Sequence, residues 1–166
     1  MRARKRNAAL ALVVVALAIT WTVAGCAVVL PGGRPDGMPA RHVFPVRATT
    51  AVELPVSYPE AGIAMSTRRM PVERAQFDAS GSILFVEYLS GNRGCHRLVR
   101  VGARMEDGRL DVLIVEGRPA ALPVSCTAEA VTMLTAISLS EPVDPLHPPP
   151  VHDGVSPGPV AIEPSQ

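Results

Sequence analysis

Two alternating runs meet at Asp107-Gly108, and no other stretch constrains the fold so tightly. Val99, Val101, Ala103 and Met105 alternate with Arg100, Gly102 and Arg104 on one side. Leu110, Val112 and Ile114 alternate with Asp111 and Leu113 on the other. Successive strand side chains point to opposite faces, so each run presents one apolar face. Asp-Gly between alternating runs is the strongest short-range signal for a hairpin. Pairing across a two-residue turn sets Glu106 opposite Arg109 and Arg104 opposite Asp111. It also sets Met105 opposite Leu110, Ala103 opposite Val112 and Val101 opposite Ile114. One face then carries two opposite-charge pairs and the other is wholly apolar. A slip of one residue would spoil both. Exposed ion pairs contribute only tenths of a kcal/mol, so burial of the apolar face drives pairing.

A second strand precedes the hairpin. Asp78-Ala79-Ser80-Gly81 has turn composition, and residues 82–89 (Ser-Ile-Leu-Phe-Val-Glu-Tyr-Leu) are apolar and β-rich, which predicts a strand buried on both faces. Residues 90–94 form a loop leading to Cys95. Residues 117–123 form a connection ending near Cys126. Residues 129–139 predict a last strand, with Val131, Met133, Thr135, Ile137 and Leu139 on one face. A helix over residues 128–134, capped by Thr127, is the alternative for its first half. Residues 51–58 form a candidate strand that Pro55 demotes to an edge or a non-strand. Residues 60–73 show no period. Beyond residue 143 the prolines at 145, 148, 149, 150, 157, 159 and 164 predict an extended, disordered tail. The expected fold is therefore mainly β: a small antiparallel, β-sandwich-like domain over residues 50–143. A flexible tether over residues 26–49 precedes it and a Pro-rich tail over residues 144–166 follows it.

The first 25 residues belong to a different category. Arg2, Arg4, Lys5 and Arg6 form a basic head, residues 8–19 are apolar without a charge, and Val23-Ala24-Gly25 are small or short side chains. This is the pattern of a secretory signal helix. Four of the 16 basic residues lie in it, which leaves 12 against 15 acidic residues in the remainder. A weakly acidic remainder has no basic field for nucleic acid. With aromatics at 4 %, it is also a poor stacking surface for sugars or bases.

Val23-Ala24-Gly25-Cys26 resembles the lipobox of bacterial lipoproteins, with Val23 where Leu is commoner. The resemblance implies that Cys26 becomes the first mature residue, carries a diacylglycerol, and holds the chain on the outer face of the cell membrane. A retained single-span anchor is the alternative, because apolar or neutral residues run on to Leu30. Plain secretion is a third outcome. If Cys26 is lipidated, two of the three cysteines remain in an oxidising compartment, and a Cys95–Cys126 disulfide follows. Residues 75–143 resemble a group of uncharacterised actinobacterial exported lipoproteins. The shared features are Asp78-Ala79-Ser80-Gly81, Gly94-Cys95, the 105–110 hairpin, Cys126 and Leu139-Ser140-Glu141-Pro142, with Asp153-Gly154 as a further echo. That resemblance implies fold and address but no activity.

Chemistry is sparse. No nucleophile elbow, phosphate loop, dinucleotide fingerprint or zinc-protease pattern occurs. His147, His152 and Asp153 lack the spacing of a defined metal site, and His96 reads as a surface residue. Glu106, Asp107 and Asp111 are sent by alternation to a strand and a turn, and do not converge as a catalytic carboxylate pair would. Arg68-Arg69 and Arg97, Arg100 and Arg104 could face an anionic partner or simply solvent. No enzyme activity, cofactor or metal is expected. The expected role is that of a membrane-anchored envelope lipoprotein acting as an interaction or accessory module. An extracytoplasmic ligand binder is the alternative.

Overall fold

A computed structural model describes residues 34, 37–46, 50–62, 64–120, 126 and 128–165. The expected signal helix and Cys26 fall outside the described residues. Ten strands and no helix occur among those described. In chain order they are β1 (Arg41–Val46), β2 (Thr50–Ser57), β3 (Ala64–Arg69), β4 (Val72–Phe77) and β5 (Ile83–Ser90). There follow β6 (Arg97–Glu106), β7 (Arg109–Pro119), β8 (Val131–Ser138), β9 (Val151–His152) and β10 (Ala161–Glu163).

The strands form two sheets. Six are ordered β1-β2-β8-β5-β4-β10, and β3-β7-β6 make the second sheet with β9 on the β3 side of β7. The fold is mainly β, as expected, but not purely antiparallel: β2–β8, β10–β4 and β7–β9 are parallel pairs. β5 lies between β4 and β8 and is buried at five consecutive positions, Leu84 to Tyr88. Leu84, Val86 and Tyr88 face the second sheet. They build an inner core with Val101 and Ala103 of β6, Val112 and Ile114 of β7, and Met133 and Ile137 of β8. Phe85 faces the other way, into an outer core with Met38, Phe44, Val56, Leu134 and Ala136. The β1–β2 ribbon supplies Phe44 and Val56, so the six-stranded sheet curls to bring its own edge over its outer face.

The hairpin forms in the expected register, with all five cross-turn pairs in place. Asp107 and Gly108 both have positive φ, 51° and 75°, as a type I′ turn requires. The charge pairing differs from expectation. Arg104 bonds Glu106 and Arg109 bonds Asp111 at 3.1 Å, each two residues along its own strand rather than across the turn. Met105, at the end of the apolar face, is 46 % exposed. A bulge between Leu98 and Arg100 shifts the phase, so Leu98 rather than Val99 is buried.

Three further expectations are corrected and one open alternative is decided. The tether does not extend to residue 49: β1 begins at Arg41, and Met38 is already in the outer core. Pro55 is not on an edge strand, because β2 lies between β1 and β8. It is tolerated because the β8 ladder starts one residue later, at Val56. Residues 60–73 contain β3 and the start of β4, hidden because β3 is exposed along most of its length and bulged. The first half of the 129–139 segment is strand, not helix, from Val131.

The Pro-rich segment is ordered. Val143 N–H donates to the Gly81 carbonyl at 3.0 Å, and Pro150 accepts from Leu110 N–H at 2.9 Å. Gly81 has φ +69°, and a Cβ there would collide with the Val143 carbonyl. Proline lacks a donor but keeps its acceptor, which is how this stretch docks. β9 then joins one sheet and β10 the other. Between them Asp153, 3 % exposed, accepts from Val72 N–H at 2.8 Å, Val155 N–H at 2.8 Å, Ser156 N–H at 2.7 Å and the Ser156 hydroxyl at 2.8 Å. Burial pushes its pKa up, but these bonds outweigh burial and hold it below the ordinary value. A carboxyl with a lowered folded pKa stabilises above its unfolded pKa and loses that effect as pH falls through the folded one. Asp153→Ala is therefore expected to cost about 2–4 kcal/mol at neutral pH. It should also flatten part of the acid limb below pH 4, both read by urea denaturation across a pH series.

Candidate functional site

The end of the sandwich opposite the Asp107-Gly108 turn gathers the polar groups that hydrophobic packing does not explain. Glu116 on β7 is 1 % exposed. It continues the inward parity of Leu110, Val112 and Ile114, so its carboxyl enters the space between the sheets. Bulges in both neighbouring strands, at Met65/Arg68 of β3 and Leu98/Arg100 of β6, lie against this part of β7. Bulges of this kind re-aim side chains.

The last turn of β5 supplies the partners. Ser90 donates its hydroxyl to Glu116 Oε1. Tyr88, two residues earlier on the same face, is fully buried, and its hydroxyl has no hydrogen-bond partner among the described residues. Glu116 Oε2 is likewise without a hydrogen bond, and the guanidinium of Arg68, exposed on β3, stands 3.8 Å from it. Burial raises the Glu116 pKa. The Ser90 bond and the charges of His96 and Arg68 oppose that shift without cancelling it. Burial also raises the Tyr88 pKa, with the Glu116 charge adding to it and Arg93 opposing. The arrangement can hold or release one proton at Glu116. The Ser90 hydroxyl is buried and within bonding range of Glu116 and of the Gly91 carbonyl at 3.2 Å.

The expected site residues fall partly here. Cys95 and Cys126 are bonded, with Cα atoms 5.8 Å apart and a sequence separation of 31. The bond joins the loop after β5 to the connection after β7, at the same end as Glu116. Cys95 is buried and Cys126 is exposed. His96 follows Cys95 and contributes its charge to Glu116. His147 bonds Asp144 at 2.9 Å in an exposed turn, and His152 sits opposite Asp111 across the β7–β9 pair. Neither meets Asp153, whose oxygens are taken by the donors above. No group of three or more potential metal ligands occurs among the described residues. Arg97 pairs with Glu60 at 3.8 Å, and Arg69 and Arg100 flank Val115 on the outer face of the second sheet. Glu116 is the residue that sequence reasoning missed. Its signal was the period-2 continuation beyond Ile114.

No protein-family model, curated protein or solved structure matches this chain.

Two outcomes are expected. Replacing both Cys95 and Cys126 with Ser opens a 31-residue loop and should lower stability by about 3–4 kcal/mol, measured by denaturant titration. Glu116→Gln keeps a partner for Ser90 and removes a buried charge, so it should raise neutral-pH stability by about 1 kcal/mol. A carboxyl with a raised folded pKa favours the folded state as pH falls toward its unfolded value near 4.5. The wild type should gain stability as pH falls from 7 toward 5, and Glu116→Gln should lose that gain in thermal melts.

Proposed function

We propose that this protein is a lipid-anchored extracytoplasmic lipoprotein whose β domain is an interaction or accessory module of the cell envelope. The observation that carries the reading is the cysteine pairing. Cys95 is bonded to Cys126, which leaves Cys26 as the one cysteine outside the pair. Cys26 closes Val23-Ala24-Gly25-Cys26, directly after a basic head and an apolar run. A structural disulfide suits an oxidising compartment, and a thioether-linked diacylglycerol gives the two chains that stable anchoring requires. The role as an interaction module rests on the character of the polar cluster. Its acid and its serine are both buried, with Arg68 over the acid, which favours a binding or supporting part over one that meets substrate.

The test is the mature N-terminus. Wild-type protein expressed in a lipoprotein-processing bacterium should fractionate with membranes, and its first peptide should begin at Cys26 with the mass of the attached lipid. Cys26→Ala should lose that mass and the membrane association. A Cys26→Ala protein with unchanged processing, mass and fractionation refutes the proposal.

A further inference from the structure

The β1–β2 ribbon has a narrow attachment to the rest of the fold. β2 meets β8 at only two positions, Val56–Leu134 and Ser57–Thr135. Beyond that ladder, side chains hold the ribbon down on the outer face of the sheet. Phe44 is fully buried in the outer core. Arg74 of β4 donates to the Pro45 carbonyl at 2.5 Å, and its guanidinium lies 4.9 Å from the centre of the Phe44 ring. His42 lies flat on Phe85 of β5, with ring centres 3.5 Å apart and planes within 4°.

The histidine is also locked by a hydrogen bond. Its Nε2 is 2.8 Å from Gln76 Oε1, and Gln76 Nε2 donates to the Pro164 carbonyl at 2.7 Å. The second bond orients the amide, so an oxygen faces His42. An amide oxygen only accepts, so Nε2 carries the hydrogen and the neutral ring leaves Nδ1 bare.

We propose that the β1–β2 ribbon is a flap, latched by neutral His42 against Phe85 and Gln76 and released by mild acid. Protonation places a charge in the seam between ribbon and sheet, and an open ribbon returns that charge to water. Burial lowers the His42 pKa, and the Gln76 bond and the Asp78 carboxylate oppose this only in part. Asp78 has a lowered pKa of its own, set by burial pushing up and by bonds to Ser80, Ile83 and Ser82 pulling down further, so its charge persists through the range in question. The other charges facing the seam are paired. Arg74 and Glu87 bond at 2.7 and 2.9 Å, with Glu163 of β10 4.0 Å from Arg74; on the ribbon's opposite, solvent face Arg41 pairs with Glu53 at 3.0 Å. A group whose folded pKa is depressed below 6.5 favours the closed state above that value, and the closed state weakens as pH falls through the folded one. Release uncovers Phe44, Phe85 and Leu134, an apolar surface that the closed form does not present.

The test uses the full chain in detergent micelles. The His42 imidazole, titrated by NMR, should have its midpoint below 6.5. Amide exchange corrected for intrinsic rates should show protection in β1 and β2 falling about threefold or more between pH 7.5 and 5.5, with β5 and β8 unchanged. His42→Phe preserves the ring stack and should abolish the loss. If that variant lacks β5 protection and so is not folded, His42→Gln takes its place. A midpoint at or above 6.5, no loss in wild type, or the same loss in the folded variant overturns the proposal.

Discussion

The fold depends on one strand having no solvent face. Five consecutive residues of β5 are buried, and their alternation sends Leu84, Val86 and Tyr88 into one core and Phe85 into another. Two layers of packing therefore share a single backbone. At roughly 25 cal/mol per Å² of apolar surface, neither face alone gives a domain of this size a secure margin. β8 repeats the arrangement beside it, with Met133 and Ile137 inward and Leu134 and Ala136 outward. The ribbon exists to cover the outer face of this pair, which explains why the six-stranded sheet curls.

Polar residues are buried alongside the two cores, and the protein treats two of its three buried acids, Glu87 and Glu116, differently. Glu87, on the outer face of β5, stands directly opposite Arg74 in register and is held by two bonds from one guanidinium nitrogen. Its charge is matched. Among the described residues Glu116 has Ser90 as its hydrogen-bond partner and a more distant Arg68, and burial wins over both. The first is a fastening. The second is a strained position near a bulged edge and a disulfide, where the fold tolerates a costly group.

The legible parts of the fold were those where local pattern and tertiary role coincide. The hairpin could be read pair by pair because its turn chemistry and two-residue period specify one register. β5 and β8 were legible as apolar, β-branched runs. What could not be read was structure made by backbone acceptors and by context. β3 has almost no buried side chain and therefore no period. The segment after residue 143 is docked through the Pro150 carbonyl and through Asp153, neither of which marks a hydrophobic pattern. β1 sits in proline- and glycine-interrupted sequence, and its single large anchor, Phe44, has no alternating neighbours of similar size. Of the candidate site, the cysteines were legible by counting and Glu116 only by extending the parity of Ile114 up to the edge of the 117–123 connection. The flap histidine gave no sign at all, because its partners Gln76 and Phe85 come from two other strands.

The split destination of residues 151–163 has a consequence for the order of events in assembly. β9 completes one sheet and β10 the other, and Gln76 bonds a carbonyl 88 residues further on. Contacts of that separation carry the entropy of closing a long loop and form late. Until they form, the starting residue of β4, Val72, has a backbone donor awaiting Asp153 and both sheets have an open flank. Residues 151–163 thus tie the two layers together, because one short stretch of chain is shared between both sheets.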